Sequence, residues 1–192
     1  MKTFKGKRVL WGTLIILSLV LIIVVPLWGG RDVINATELP GSYLINFHQI
    51  DSGVYRSDQP SAASFRVLEE YGIKEIISLR YFHDNAKDIA GTSLISHHIP
   101  MHTHNISEEK LIEAMRVIKN RKGPILIHCF HGSDRAGAVS AMYEMTFQHK
   151  PVEEAIESMR NGGYGHHKIF YNIPRVLRKI DIDKVRRELD IP

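Results

Sequence analysis

The chain has 192 residues, enough for one domain of ordinary size and an appendage. Five of its 25 Lys and Arg precede Asp32, which is the first of the 21 Asp and Glu, so the net charge of +4 belongs to the start and the remainder is almost neutral. That distribution gives no reason to propose nucleic acid binding, and a single cysteine, Cys129, excludes an internal disulfide.

Lys2, Lys5, Lys7 and Arg8 make residues 1–8 a basic flank. Val9 to Trp28 carries no charge over about 20 residues, enough to cross a hydrocarbon core at helical rise. Trp11 and Trp28 stand near its ends as interfacial anchors do. Residues 9–30 are therefore expected to be a transmembrane helix. The positive-inside rule then keeps residues 1–8 in the cytoplasm and puts the rest in the periplasm or its equivalent, making a single-pass membrane protein. A cleaved signal peptide shares the basic and apolar regions. Against it stand the length of the apolar run and the poor fit of Ile34-Asn35-Ala36, the nearest approach to a small-x-small site. Residues 31–42 are polar and read as a tether, and residues 43–192 as the folded domain.

In that domain, Tyr43 to Phe47 and Gly53 to Tyr55 are expected as short strands around an Asp-Ser-Gly turn. Ser61 can cap a helix carrying Phe65, Val67, Leu68 and Tyr71 that stops at Gly72. Ile73 to Leu79 reads as a strand, Arg80 to Ala90 as a polar stretch with a helical turn, and Leu94 to Ile99 as a strand closed by Pro100. Ser107 caps a helix whose apolar face holds Leu111, Ile112, Met115, Val117 and Ile118. The β-branched run Ile125 to Ile127 is a buried strand, and the spacing of Ala138, Val139, Ala141, Met142 and Met145 predicts a helix to about Gln148. A helix begun by Pro151, a loop from Asn161 to His166, a helix from about His167 to Ile180 interrupted or kinked at Pro174, and an amphipathic tail from Asp181 to Leu189 complete the chain. Strands alternating with helices imply an α/β fold: a mainly parallel central sheet flanked by helices, with ligands collecting at the carboxyl ends of the strands.

Cys129 falls at such an end, with Arg135 six residues later at a helix start. Backbone N–H groups in a loop between strand and helix can converge on an anion, and the helix N-terminus adds partial positive charge. Gly132 permits a tight turn, and the Arg135 guanidinium matches two phosphate oxygens. The same field favours the thiolate of Cys129, the form that attacks phosphorus. The residues thus read as a phosphate trap with a built-in nucleophile. A buried structural cysteine and a sulfurtransferase loop are the other readings.

The spacing His128-Cys129-x-x-Gly132-x-x-Arg135 resembles the HCxxGxxR signature of cysteine-based protein tyrosine and dual-specificity phosphatases. The resemblance covers about Tyr43 to Arg178 and implies a dual-specificity-phosphatase-like fold, a phosphomonoesterase acting through a cysteinyl phosphate, and no metal or other cofactor. It implies phosphate binding by Phe130, His131, Gly132, Ser133, Asp134 and Arg135. His128 would orient the loop. The phrase VYRSDQPS resembles the entry segment of bacterial members, beside that loop. Lys168 or His167, in the loop after Asn161, would lie near the site.

Two departures stand out. Relatives place an aspartate after the strand that here ends at Pro100, but Met101 to Ile106 reads MHTHNI. The proton donor is then open among His104, His102 and Asp134, the last because phosphoinositide phosphatases of the myotubularin type also carry aspartate before the signature arginine. Asp84 and Glu108 are further carboxylates. Ala136 replaces the usual Ser or Thr hydroxyl. An inactive phosphate-binding module is therefore the alternative to an active, outward-facing enzyme. His97, His98, His102 and His104 suggest a metal only weakly, since adjacent strand residues point to opposite faces. Substrates remain open: an envelope lipid or sugar phosphate, an inositol phosphate, or a phosphoprotein.

Overall fold

The computed structural model describes residues 39–192. The basic flank, the anchor and most of the tether lie outside the described residues. Among the described residues no helix is long and apolar enough to cross a membrane.

Five strands form one sheet: β1 (His48–Asp51), β2 (Val54–Ser57), β3 (Glu75–Ser78), β4 (Ile95–His98) and β5 (Ile125–His128), in the order β1-β2-β5-β3-β4. Only the β1–β2 hairpin is antiparallel. Its turn closes on Ser52 N–H donating to Asp51 Oδ1 at 2.7 Å. Between the strands and after them come α1 (Ala62–Tyr71), α2 (Glu108–Asn120), α3 (Asp134–Phe147), α4 (Val152–Asn161), α5 (Asn172–Leu177) and α6 (Ile182–Glu188).

Alternation along the strands divides the interior in two. Val54, Ile77, Ile125 and Ile127 face a core shared with α2 to α6, whereas Tyr55, Ile76 and Leu126 face a smaller one built on Phe65 and Leu68 of α1. The link from β2 to β3 thus uses one face of the sheet, and the link from β4 back to β5 uses the other. β5 lies where the direction of winding reverses, and a crevice opens at its carboxyl end. α3 runs through the middle of the helical layer and is buried on nearly every side, which explains its indistinct apolar stripe.

Most expected elements form. Ser61 and Ser107 accept from the N–H groups of Ser64 and Lys110 and cap α1 and α2, and Gly72 ends α1 at φ 109°. Arg80 to Ala90 holds the expected helical turn, in which the Asn85 carbonyl accepts from the N–H groups of Asp88 and Ile89. Two expectations are corrected. Tyr43 to Phe47 is not a strand, because Tyr43 (φ 53°) and Asn46 (φ 71°) are left-handed and break the extended run, so β1 begins at His48. The helix expected over 167–180 is only α5, where Pro174 falls in the first turn. A proline there loses no intrahelical bond, so it starts a short helix instead of kinking a long one.

Candidate active site

β5 pairs in register with β2 and β3, Ser57 and Ser78 both standing opposite His128. Cys129 follows directly, 3% exposed and enclosed by the loop that climbs to α3.

The orientation of that loop follows from its carbonyls. The Phe130 carbonyl accepts from Gln59 N–H at 3.1 Å, and the His131 carbonyl from Asn46 Nδ2 at 3.0 Å. Arg56 Nη2 donates to the carbonyls of Gly132 at 2.6 Å and Ser133 at 3.2 Å. In a trans peptide the C=O and the following N–H point in opposite directions. Four carbonyls bound on the outside therefore turn the N–H groups of His131, Gly132, Ser133 and Asp134 inward, where none has an acceptor among the described residues. A ring of convergent donors at a helix N-terminus is an anion site.

Gly132 is required by space as well as by its φ of +70°. A Cβ there would lie 2.5 Å from the Ser57 carbonyl carbon and 2.6 Å from Asp58 N, inside backbone that cannot move aside.

Arg56, from β2, is 1% exposed. Burial pulls its pKa down to about 10, while Tyr164, Cys129, Glu144 and Asp134 favour the charge, so it is cationic at neutral pH. Its guanidinium also stacks on the Tyr164 ring, 4.1 Å from the centroid. Asn46 Nδ2 donates to Tyr164 O at 3.1 Å as well as to His131 O, and its Oδ1 meets His48 Nε2 at 2.9 Å. Sequence reading missed Arg56 and Asn46. The available sign for Arg56 was its place in the phrase VYRSDQPS, expected beside the loop; Asn46 had none.

His128 is fully buried, with its pKa pushed down to about 3 chiefly by desolvation. Gln59 Nε2 donates to Asn85 Oδ1, which turns Asn85 Nδ2 toward His128 Nε2 at 2.8 Å. Nε2 must then accept, leaving Nδ1–H facing the Cys129 carbonyl at 3.3 Å. The ring is a neutral brace.

Arg135 Nη1 donates to the carbonyls of Leu79 and Met101, each at 3.4 Å, and so joins the ends of β3 and β4 to the loop. Asp134 opens α3 with both oxygens engaged: Oδ1 accepts from His167 N–H at 2.9 Å and Oδ2 faces His167 Nδ1 at 2.8 Å. His166 Nδ1 lies 3.1 Å from Oδ1, near enough to feel the charge but not aligned for a hydrogen bond. Burial alone would raise this carboxyl, but the histidine contacts outweigh it and hold it below the usual range.

The remaining expected residues are dispersed. His104 is exposed and packs edge-on against Phe170 at 5.1 Å, and His102 stacks on Tyr81 at 3.7 Å. His131 is exposed on the rim, 5.7 Å from the His167 ring. Phe130 is 51% exposed beneath Arg80, and Ser133 Oγ donates to His131 O at 3.3 Å. Lys168 and Asp84 are exposed, and so is Glu108, the first residue of α2. His97 pairs with Glu75 at 2.7 Å while His98 meets the Arg80 carbonyl at 2.7 Å, so the histidine run is shared among separate partners. Among the described residues no group of three or more His, Cys, Asp or Glu is placed to hold a metal.

Comparison with known proteins covers the segment that contains this loop. The family model for the polymorphic toxin system, DSP-PTPase phosphatase, matches residues 50–148. The dual specificity protein phosphatase TpbA of Pseudomonas aeruginosa is 29% identical over 145 residues, 74% of this chain and 66% of that protein. An inositol diphosphatase of Oryza sativa subsp. japonica is 32% identical over 104 residues, 50% of this chain and 51% of that one. The chain thus spans a little under two thirds of the first relative and about half of the second. The crystal structure of TpbA superposes with a TM-score of 0.69 at 26% identity, over 76% of this chain and 91% of that one. The catalytic core of the Saccharomyces cerevisiae PP-IP phosphatase Siw14, 22% identical and covering 76% of this chain and 91% of that one at a TM-score of 0.65, shares the fold.

Proposed function

From the DSP-PTPase phosphatase family, to which this chain belongs, we propose that it is a cysteine-dependent phosphatase that hydrolyses phosphomonoesters through a cysteinyl-phosphate intermediate. The observation that carries this reading is the set of four outward-bound carbonyls around Cys129, which leaves a ring of N–H donors for a phosphate. Three equatorial oxygens fit that ring. Arg135, tethered through Nη1, keeps the rest of its guanidinium for two of them. The Cys129 sulfur then lies in line behind phosphorus, and the fixed donors offset charge as it develops. Every group in this route belongs to the chain.

The substrate is inferred from the rim. Phe130 is 51% exposed on the loop with Arg80 5.0 Å from its ring centroid, and Tyr81 (43%) and Phe82 (92%) follow Arg80 with further exposed aromatic surface. That surface favours an aryl phosphate, as in the TpbA complex with phosphotyrosine, over a polyanionic inositol phosphate such as the rice relative's name implies. Purified full-length protein should turn over phosphotyrosine peptides, and Cys129→Ser should abolish turnover while retaining vanadate affinity. Turnover surviving in that variant would end the covalent reading. No turnover in the native protein, with phosphate still bound, would favour the phosphate-binding module that Ala136 and the aspartate-free segment Met101 to Ile106 suggest.

The location is proposed from the sequence alone: residues 9–30 anchor the chain and residues 43–192 face outward. An alkaline phosphatase fused after Gly30 should be active in a bacterial host, and the full chain should stay with membranes through a carbonate wash. Release of a shortened soluble protein would mark a cleaved signal instead.

A further inference from the structure

We propose that His167, fixed by Asp134, gives the proton to the leaving oxygen and later takes one from the attacking water. This rests on the cysteinyl-phosphate reading above. The segment carrying His167 is held against the phosphate loop at three points. Asn46 bonds the carbonyls of Tyr164 and His131 together. Gly165, at φ +73°, passes so close that a Cβ would lie 3.2 Å from Ser133 Oγ. Asp134 grips His167 through both backbone N–H (2.9 Å) and ring Nδ1 (2.8 Å).

A carboxylate only accepts, so Nδ1 of His167 carries the hydrogen and Nε2 is the exchangeable position. The side chain is 51% exposed, open to substrate and solvent. Asp134, 8% exposed with both oxygens engaged, acts as a positioning residue. Among the described residues His83 is also held by a carboxylate, Asp88 at 2.7 Å, but it lies in the Arg80 to Ala90 turns and not in the segment tied to the phosphate loop. His128 is buried as a neutral brace, His102 is stacked on Tyr81, and the ring nitrogens of His104 have no partner among the described residues to fix a tautomer.

The steps balance. The Cys129 thiolate forms the S–P bond as the P–O bond breaks; that electron pair stays on the leaving oxygen, which takes the proton from Nε2 of the His167 imidazolium. Water then attacks phosphorus and yields a proton to the now neutral Nε2. The S–P bond breaks, its pair returns to sulfur, and phosphate departs with the imidazolium restored.

The titratable and charged groups around His167 are Asp134 from α3, His131 from the phosphate loop, and His166 and Lys168 in its own segment. The test is kcat/KM of the full-length protein on 2,4-dinitrophenyl phosphate and on phenyl phosphate across pH. His167→Gln should leave the first, whose leaving group needs no proton, within about threefold of native, and slow the second by about 100-fold or more. The alkaline limb of the pH profile on phenyl phosphate should vanish. Asp134→Asn should move both readouts in the same direction by a smaller factor. Equal losses on the two substrates, or no loss on either, would overturn the proposal, as would the same selective loss in His104→Ala with His167→Gln unaffected. Those outcomes leave the dependence on Cys129 intact, whereas failure of the underlying reading appears as a Cys129→Ser variant that still turns over.

Discussion

Arg56 reaches from the second strand to donate to the carbonyl of Gly132 at 2.6 Å, joining residues 76 apart in the chain. The contact stabilises the fold and orients the phosphate loop at once, because the bonded carbonyl fixes where the next N–H points. Arg56→Met fills the space but leaves the Gly132 carbonyl unpaired, while the Ser133 carbonyl keeps the Gly137 N–H at 2.9 Å. Hydrogen bonds to a charged group are worth about 1.5 to 3 kcal/mol. Chemical denaturation should show a loss of about that size, with vanadate binding weakened. Full vanadate affinity in a destabilised variant would separate the two roles and refute the second.

Gly132→Ala tests the close approach of the loop to the second strand. The new Cβ would meet the Ser57 carbonyl carbon at 2.5 Å, so the loop must move outward. Overpacking of this kind costs about 1 to 3 kcal/mol. Turnover should fall at least 100-fold, since displacement by an ångström misplaces the inward donors. A crystal structure of the variant with an undisplaced loop would contradict the account.

Acid should weaken the fold through His128. Its pKa is about 3 in the folded protein against an ordinary 6.5, so the stability it contributes is complete above about pH 6.5. Between the two values only the unfolded chain takes up the proton, and the folding constant falls by up to about tenfold per pH unit as pH drops. Asp58 acts in the opposite sense: burial raises its carboxyl to about 6, so the folded state binds that proton first. Comparing urea midpoints of native and His128→Asn protein at pH 7, 5.5 and 4.5 isolates the histidine. The native midpoint should fall more steeply; parallel slopes would refute the assignment.

Ala136→Ser restores a hydroxyl at a fully buried position one residue beyond Arg135. A hydrogen bond to the departing thiolate is worth about 1.5 to 3 kcal/mol, and each 1.36 kcal/mol is about tenfold in rate. If breakdown of the cysteinyl phosphate limits turnover, kcat should rise about tenfold or more with a smaller burst. A native burst together with an unchanged kcat would show that the missing hydroxyl is not what slows release.

The sequence alone determined what is local. Cys129, Gly132 and Arg135 lie within one strand–loop–helix unit, whose hydrophobic pattern and turn chemistry depend on near neighbours. The caps Ser61, Gly72 and Ser107 and the mainly parallel sheet were legible for the same reason. Tertiary structure decided the rest. Which carbonyls of the loop are bonded depends on Asn46, 85 residues from His131, and on Arg56. The tautomer of His128 depends on Asn85, 43 residues away, and the pairing of Asp134 on His167, 33 residues away. Hydropathy periodicity carries no record of such contacts. They arise when packing brings a donor to an unpaired acceptor in a place water cannot reach, so only the folded chain reveals that the Asp134 carboxylate is engaged and that the neighbouring imidazole is left free.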